Sequence, residues 1–121
     1  MQAVYFEKFG SPEVLKFGGM PEPECGSSQV VIEVKAASIN PVDYKIVEGE
    51  GLPLPLFGKF PRIPGSDFAG VVLKAGSSVT HVKPGDEVYA RPGKDRIGTL
   101  AELIAMNEAE VAVKPKNLPM E

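Results

Sequence analysis

The sequence contains a single cysteine, Cys25, so no disulfide can form within the chain. A reducing cytoplasm is the simplest setting for such a protein. Cys25 lies in a polar stretch with no histidine or second cysteine beside it to activate it or share a metal ion, and it reads as an exposed, inert thiol. The single histidine, His81, stands in Thr80-His81-Val82 without ligand-like neighbours and reads as a surface residue. No apolar run is long enough to span a bilayer. The first ten residues alternate charged and apolar positions, which argues against a signal peptide. Thirteen Lys and Arg stand against 16 Asp and Glu, a net charge of −3. With no basic face in the pattern, neither nucleic acid nor a membrane is an expected partner.

What is abundant is punctuation. Twelve prolines and 13 glycines are spaced between short apolar runs over 121 residues. That is the pattern of one domain built from many short strands and tight turns. Gln2 to Phe6 reads as a strand, Gly10-Ser11-Pro12 as a turn, Val14 to Phe17 as a second short apolar piece, and Met20 to Ser28 as a polar loop. Val30 to Ile39 alternates cleanly. It puts Val30, Ile32, Val34 and Ala36 on one face and Val31, Glu33, Lys35 and Ala37 on the other. Lys83-Pro84-Gly85-Asp86 suits a type II turn, followed by a strand over Glu87 to Ala90, a polar loop to Gly98, and a brief strand at Val111 to Val113.

Two stretches carry polar groups beside a strand, and the rest of the chain reads as scaffold that brings them together. In Ile63-Pro64-Gly65-Ser66-Asp67-Phe68-Ala69-Gly70-Val71-Val72, Pro64 and Gly65 predict a rigid turn that runs straight into a strand. Small residues at Ala69 and Gly70 admit a second backbone at close range. Upstream, Asn40-Pro41-Val42-Asp43-Tyr44-Lys45 carries an N-cap, a proline at the first helical position and an acid in the first turn. It predicts a short helix from about Pro41 to Val47, stopped by Gly49. Leu52 to Phe60 is an apolar, proline-broken loop, suited either to lining a pocket for an apolar ligand or to packing under a neighbour. Thr99 to Met106 is ambiguous. Thr99 with Glu102 forms a capping-box pattern that leans to helix, while Leu100, Ile104 and Met106 also fit a period of two. Asn117 to Glu121 carries helix-start signals, so the chain stops where a helix would begin, which reads as a cut.

Taken in order, these segments resemble the N-terminal, GroES-like domain of the medium-chain dehydrogenase/reductase superfamily, in its zinc-independent, quinone-oxidoreductase-like branch. The segments are Met1–Phe6, Gly10–Leu15, Val30–Ala37, Ala37–Lys45, Ile63–Val72, Val82–Tyr89 and Gly98–Leu103, so the resemblance covers essentially the whole chain, 1–121. It implies a mainly β fold, a partly open antiparallel β-barrel with a few short helices, in which Gly98–Met106 is a strand. It also implies a Rossmann domain elsewhere that holds a nicotinamide cofactor, NADPH in this branch. No glycine-rich phosphate-binding turn is present, because Gly49 and Gly51 are followed by Leu54 and not by a third glycine.

The resemblance further implies a site. In zinc-dependent relatives a cysteine occupies the position of Asn40 and a histidine that of Ser66, with Asp67 at an acidic position beside it. One carboxylate is too few for a catalytic zinc, and 91–98 lacks the cysteines of a structural zinc lobe, so no metal is expected. The remaining chemistry is hydride transfer from NADPH to a quinone or an α,β-unsaturated carbonyl, a small-molecule substrate. Tyr44 is the catalytic candidate, Asn40 and Lys45 are cofactor-binding candidates, and Phe57 and Phe60 are candidates for the substrate wall. Asn40 serves equally as a cap, Asp43 as a helix-dipole partner and Tyr44 as packing. Ser66 and Asp67 read first as support for their turn. The chain alone is expected to be inactive. In a third reading, of an isolated and catalytically silent domain, its cleft face, open without a second domain, is a candidate surface for a homodimer. The alternative is a non-catalytic GroES-like interaction module, which has no need of a polar cluster at a cleft.

Overall fold

The computed structural model describes residues 1–39, 41, 47, 62–91, 98–115 and 117–119. Strand β1 (Gln2–Phe6) pairs antiparallel with β2 (Leu15–Gly19), and a 3-10 turn at Pro12–Val14 leads into β2. The other five strands form one antiparallel sheet. They are β3 (Gln29–Ala37), β4 (Phe68–Ala75), β5 (Glu87–Ala90), β6 (Leu103–Asn107) and β7 (Ala112–Val113), in the order β6-β3-β4-β5-β7. The 100–102 segment bridges the two sheets. Val4 N–H donates to Leu100 O (2.9 Å), Glu102 N–H to Gln2 O (3.1 Å) and Val34 N–H to Glu102 O (2.9 Å). Among the described residues the fold is mainly β and antiparallel, in two sheets that do not close into a barrel.

The alternation read along β3 explains the core. Ile32 lies opposite Ile104 on one side and Val72 on the other; Val30 lies opposite Met106 and Ala75. Val30, Ile32, Val72, Ile104 and Met106 join Phe68, Val82, Val88, Ala90 and Val111 in one buried cluster, with Val34 and Ala75 packed against it. Fully burying such a side chain stabilises by about 2 kcal/mol. The β3–β4 pairing carries two irregularities. Leu73 is the extra residue between Lys74 and Val72 on β4, and Lys35 the extra residue between Val34 and Ala36 on β3. Bulges of this kind raise local twist, which helps a sheet to curl. A smaller cluster joins Phe6 and Val47, with Phe9 and Val14 against it.

The predicted turns are found. Gly85 has φ +94°, and Asp86 N–H donates to Lys83 O (3.1 Å), as a type II turn requires. The segment after Gly98 is not the helix its propensity favours, and the strand the resemblance implied over Gly98–Met106 is found only as β6, Leu103–Asn107, because the backbone of 100–102 turns to β1 instead. Ile104 and Met106 are buried on β6, and Thr99 is fully buried. The Glu102 carboxylate accepts from Gln2 N–H, so its pairing is with β1 and not with a helix start at Thr99. Non-local strand pairing outweighs the local capping pattern here. Cys25 is free and exposed. Among the described residues no helix is long and apolar enough to cross a membrane.

Candidate functional site

Asp67, in the later of the two polar stretches, meets Ser38, two residues before the Asn40–Lys45 stretch, at a side-chain joint. The last pair of the β3–β4 ladder is Ala37 with Phe68, so the residues just beyond it, Ser38 and Asp67, face one another. Ser38 Oγ donates to Asp67 Oδ1 at 2.5 Å, and Ser38 N–H reaches the same oxygen at 3.3 Å. A hydrogen bond to an ionised carboxylate is shorter and stronger than a neutral one. The joint therefore fixes the exit of β3, where the Asn40–Lys45 stretch begins, against the entry of β4.

The turn that presents Asp67 is held from behind. Gly65 has φ +106°, a left-handed conformation that favours glycine. Its carbonyl accepts from Gly98 N–H (2.9 Å) and Thr99 N–H (3.4 Å), and Pro64 O accepts from Leu100 N–H (3.1 Å). Ser66 is buried. Among the described residues the fully buried Thr99 hydroxyl has no hydrogen-bond partner; it is packed 2.2 Å from where a Cβ on Gly65 would stand. Arg62 enters the same approach, exchanging backbone hydrogen bonds with Phe6 (2.8 and 2.9 Å). Burial lowers the pKa of its guanidinium, which stays cationic at neutral pH.

Of the residues predicted for the site, Asn40, Tyr44, Lys45, Phe57 and Phe60 lie outside the described residues, as does Asp43. Pro41 and Val47, at the ends of the predicted helix, are both helical. Val47 is buried against Phe6, and its carbonyl accepts from Gly10 N–H at 2.9 Å. Ser38 escaped the sequence reading because its partner lies 29 residues away. The available signal was a serine just past a strand end, opposite an aspartate just before the next strand.

Two clefts among the described residues are lined by neither Ser38 nor Asp67. One, of about 280 Å³, is lined by Met1, Glu22, Glu33, Val34, Glu102 and Leu103. The other, of about 520 Å³, is lined by residues that include Glu7, Lys8, Glu13 and Lys16. Three carboxylates line the first, which makes it a poor seat for a phosphate-bearing cofactor. Among the described residues no group of three His, Cys, Asp or Glu gathers to hold a metal ion.

Residues 26–116 match the family model for the alcohol dehydrogenase GroES-like domain. The chain is 42% identical, over 98% of its length, to an NADPH-dependent alkenal/one oxidoreductase, chloroplastic, of Arabidopsis thaliana. Among solved structures it resembles the quinone oxidoreductase from Coxiella burnetii, with a TM-score of 0.93 and 36% identity over 99% of the chain. It also resembles the Escherichia coli quinone oxidoreductase complexed with NADPH, with a TM-score of 0.87 and 27% identity over 99% of the chain. The chain spans 32% of the Arabidopsis protein and 38% and 35% of the two structures.

Proposed function

Because the chain belongs to the alcohol dehydrogenase GroES-like domain family, we propose that it is the substrate side of an NADPH-dependent oxidoreductase that reduces quinones or α,β-unsaturated carbonyls without zinc. The observation that carries this reading is the match, across 98% of the chain, to an NADPH-dependent alkenal/one oxidoreductase. The Ser38–Asp67 joint supports it, since it anchors the end of β3, two residues before Asn40, to the turn that carries Ser66 and Asp67. Asn40 follows Ser38 by two residues, so chain connectivity alone keeps it within about 7 Å of the joint.

NADPH, when bound, supplies the hydride. The donor set suits its ribose and nicotinamide end and not its phosphates. Asn40 offers an amide and Lys45 an ammonium, whereas the sequence lacks a glycine-rich phosphate turn and the cleft at Glu22, Glu33 and Glu102 repels anions. A second, nucleotide-holding domain completes the reading. Hydride arriving at the β-carbon of an enone leaves negative charge on the carbonyl oxygen. The Tyr44 hydroxyl is the donor that meets this charge, a stabilisation of about 3 kcal/mol. Phe57 and Phe60 form an apolar wall that excludes water and orients the substrate. Zinc has no place in this donor set: positions 40 and 66 carry an amide and a hydroxyl, and the Asp67 carboxylate is already engaged by Ser38. A reducing compartment fits the exposed Cys25 thiol, the cytoplasm being the simplest, although the Arabidopsis relative is chloroplastic.

The test is a chimera in which this chain replaces the segment it aligns with in the E. coli quinone oxidoreductase. NADPH oxidation is followed with a quinone and with an enal. The isolated chain gives no turnover, the chimera does, and Tyr44→Phe in the chimera lowers kcat about a hundredfold. Turnover by the isolated chain, or a Tyr44→Phe chimera with unchanged kcat, contradicts the proposal.

A further inference from the structure

His81, on the connector between β4 and β5, meets the segment after β6 through both ring nitrogens. Nδ1 lies 2.7 Å from Glu108 Oε1, and Nε2 lies 3.2 Å from the carbonyl oxygen of Val111. The same Glu108 oxygen accepts from Thr80 N–H (3.0 Å) and His81 N–H (3.2 Å). Glu108 opens a 3-10 turn, Glu108–Glu110, that Asn107 caps by accepting from Ala109 N–H (2.9 Å). Glu108 N–H is itself tied to Ser28 O (3.1 Å). Next to these contacts, Val82 and Val111 are buried in the main core.

A neutral imidazole has one donor and one acceptor nitrogen. Both oxygens here, a carboxylate and a backbone carbonyl, only accept. A neutral ring would leave one nitrogen lone pair against an oxygen, so this geometry is that of the imidazolium. We propose that His81 and Glu108 form a pH-operated latch, closed when the ring carries both protons, that clamps the 76–86 connector onto the 107–111 segment. The titratable groups on the elements packed here are Glu108 and Glu110 on the 3-10 turn and Lys83 and Asp86 on the connector. Glu108 touches the ring, and the Lys83 ammonium is held by Asp86 at 2.9 Å.

The charge balance agrees with the geometry. The hydrogen bond to Val111 O, then the Glu108 carboxylate, raise the pKa of His81 above its ordinary 6.5. The N–H groups of Thr80 and His81, with the ring itself, hold Glu108 below its ordinary 4.5. A raised histidine pKa contributes stability that is full below the unfolded value and lost as pH rises through the folded one; a depressed glutamate pKa contributes stability that is lost as pH falls through its folded value. The latch is therefore tightest between pH 4.5 and pH 6.5.

Because the chain has one histidine, its imidazole resonances report on the latch without overlap. In this chain, ¹⁵N NMR at pH 6 is expected to show both ring nitrogens protonated, with a titration midpoint above 6.5. Glu108→Gln, which keeps the backbone acceptor, shifts the midpoint down toward that value. Amide exchange of 80–82 and 108–111 then accelerates above the midpoint while β3 and β4 stay protected. A wild-type midpoint at or below 6.5, which needs no variant to fold, overturns the proposal. So does a midpoint that Glu108→Gln leaves unmoved.

Discussion

Gly65→Ala is expected to destabilise the chain by about 4 kcal/mol. For a domain of this size that is a fall in Tm of roughly 15 °C. Two independent penalties combine. At φ +106° a residue with a Cβ is strained wherever it is placed. The added Cβ would also stand 2.2 Å from Thr99 Oγ1 and 2.9 Å from Leu100 N. Neither neighbour gives way easily: Thr99 is fully buried, and Leu100 N–H is bonded to Pro64 O. Measured against Thr99→Ala alone, the double variant Gly65→Ala/Thr99→Ala recovers the steric part and keeps the conformational part. Urea unfolding with an unchanged m-value is the check, and a loss below about 1 kcal/mol would mean that the turn is not held as described.

The second large effect falls on Gly70→Ala. A Cβ there would lie 2.2 Å from Glu33 O and 2.8 Å from Ile32 Cγ2. The obstacle is the backbone of β3, paired on both sides, with β4 and with β6. It can retreat only by breaking ladder hydrogen bonds in the middle of the sheet. A loss of about 3 kcal/mol or more is expected, with amide exchange accelerated first along the β3–β4 pairing. Wild-type stability in this variant would show that the two strands lie further apart than the close approach at Gly70 implies.

These two glycines show what the sequence made legible. Pro64-Gly65 announced a turn needing positive φ, and Ala69-Gly70 a close backbone approach; both are found. Strands β1 and β5 lie where alternation and turn residues put them, and β3 within two residues of it. Such features are local, set by a residue's own sterics and its near neighbours. Features resting on partners far along the chain stayed hidden. Thr99 and Glu102 have the spacing of a capping box, yet Glu102 turns to Gln2, a hundred residues away. His81 looked solitary, yet Glu108 meets it from 27 residues on. The Ser38–Asp67 joint could be read only once β3 and β4 were paired in register. For the site itself the sequence supplied the candidates, and the fold supplies the joint beside which they begin.

That joint is tested most directly by a double-mutant cycle in the chimera with the E. coli quinone oxidoreductase, using Ser38→Ala, Asp67→Asn and the pair, with the chimera's kcat/KM for NADPH-dependent enone reduction as the readout. Each single change is expected to lower kcat/KM about tenfold, and the pair no further than the worse single change. That pattern is a coupling of about 1.4 kcal/mol, in the range of a hydrogen bond to a charged group. Independent, additive effects, or single variants as active as the parent, would contradict the claim that Ser38 and Asp67 together assemble the site.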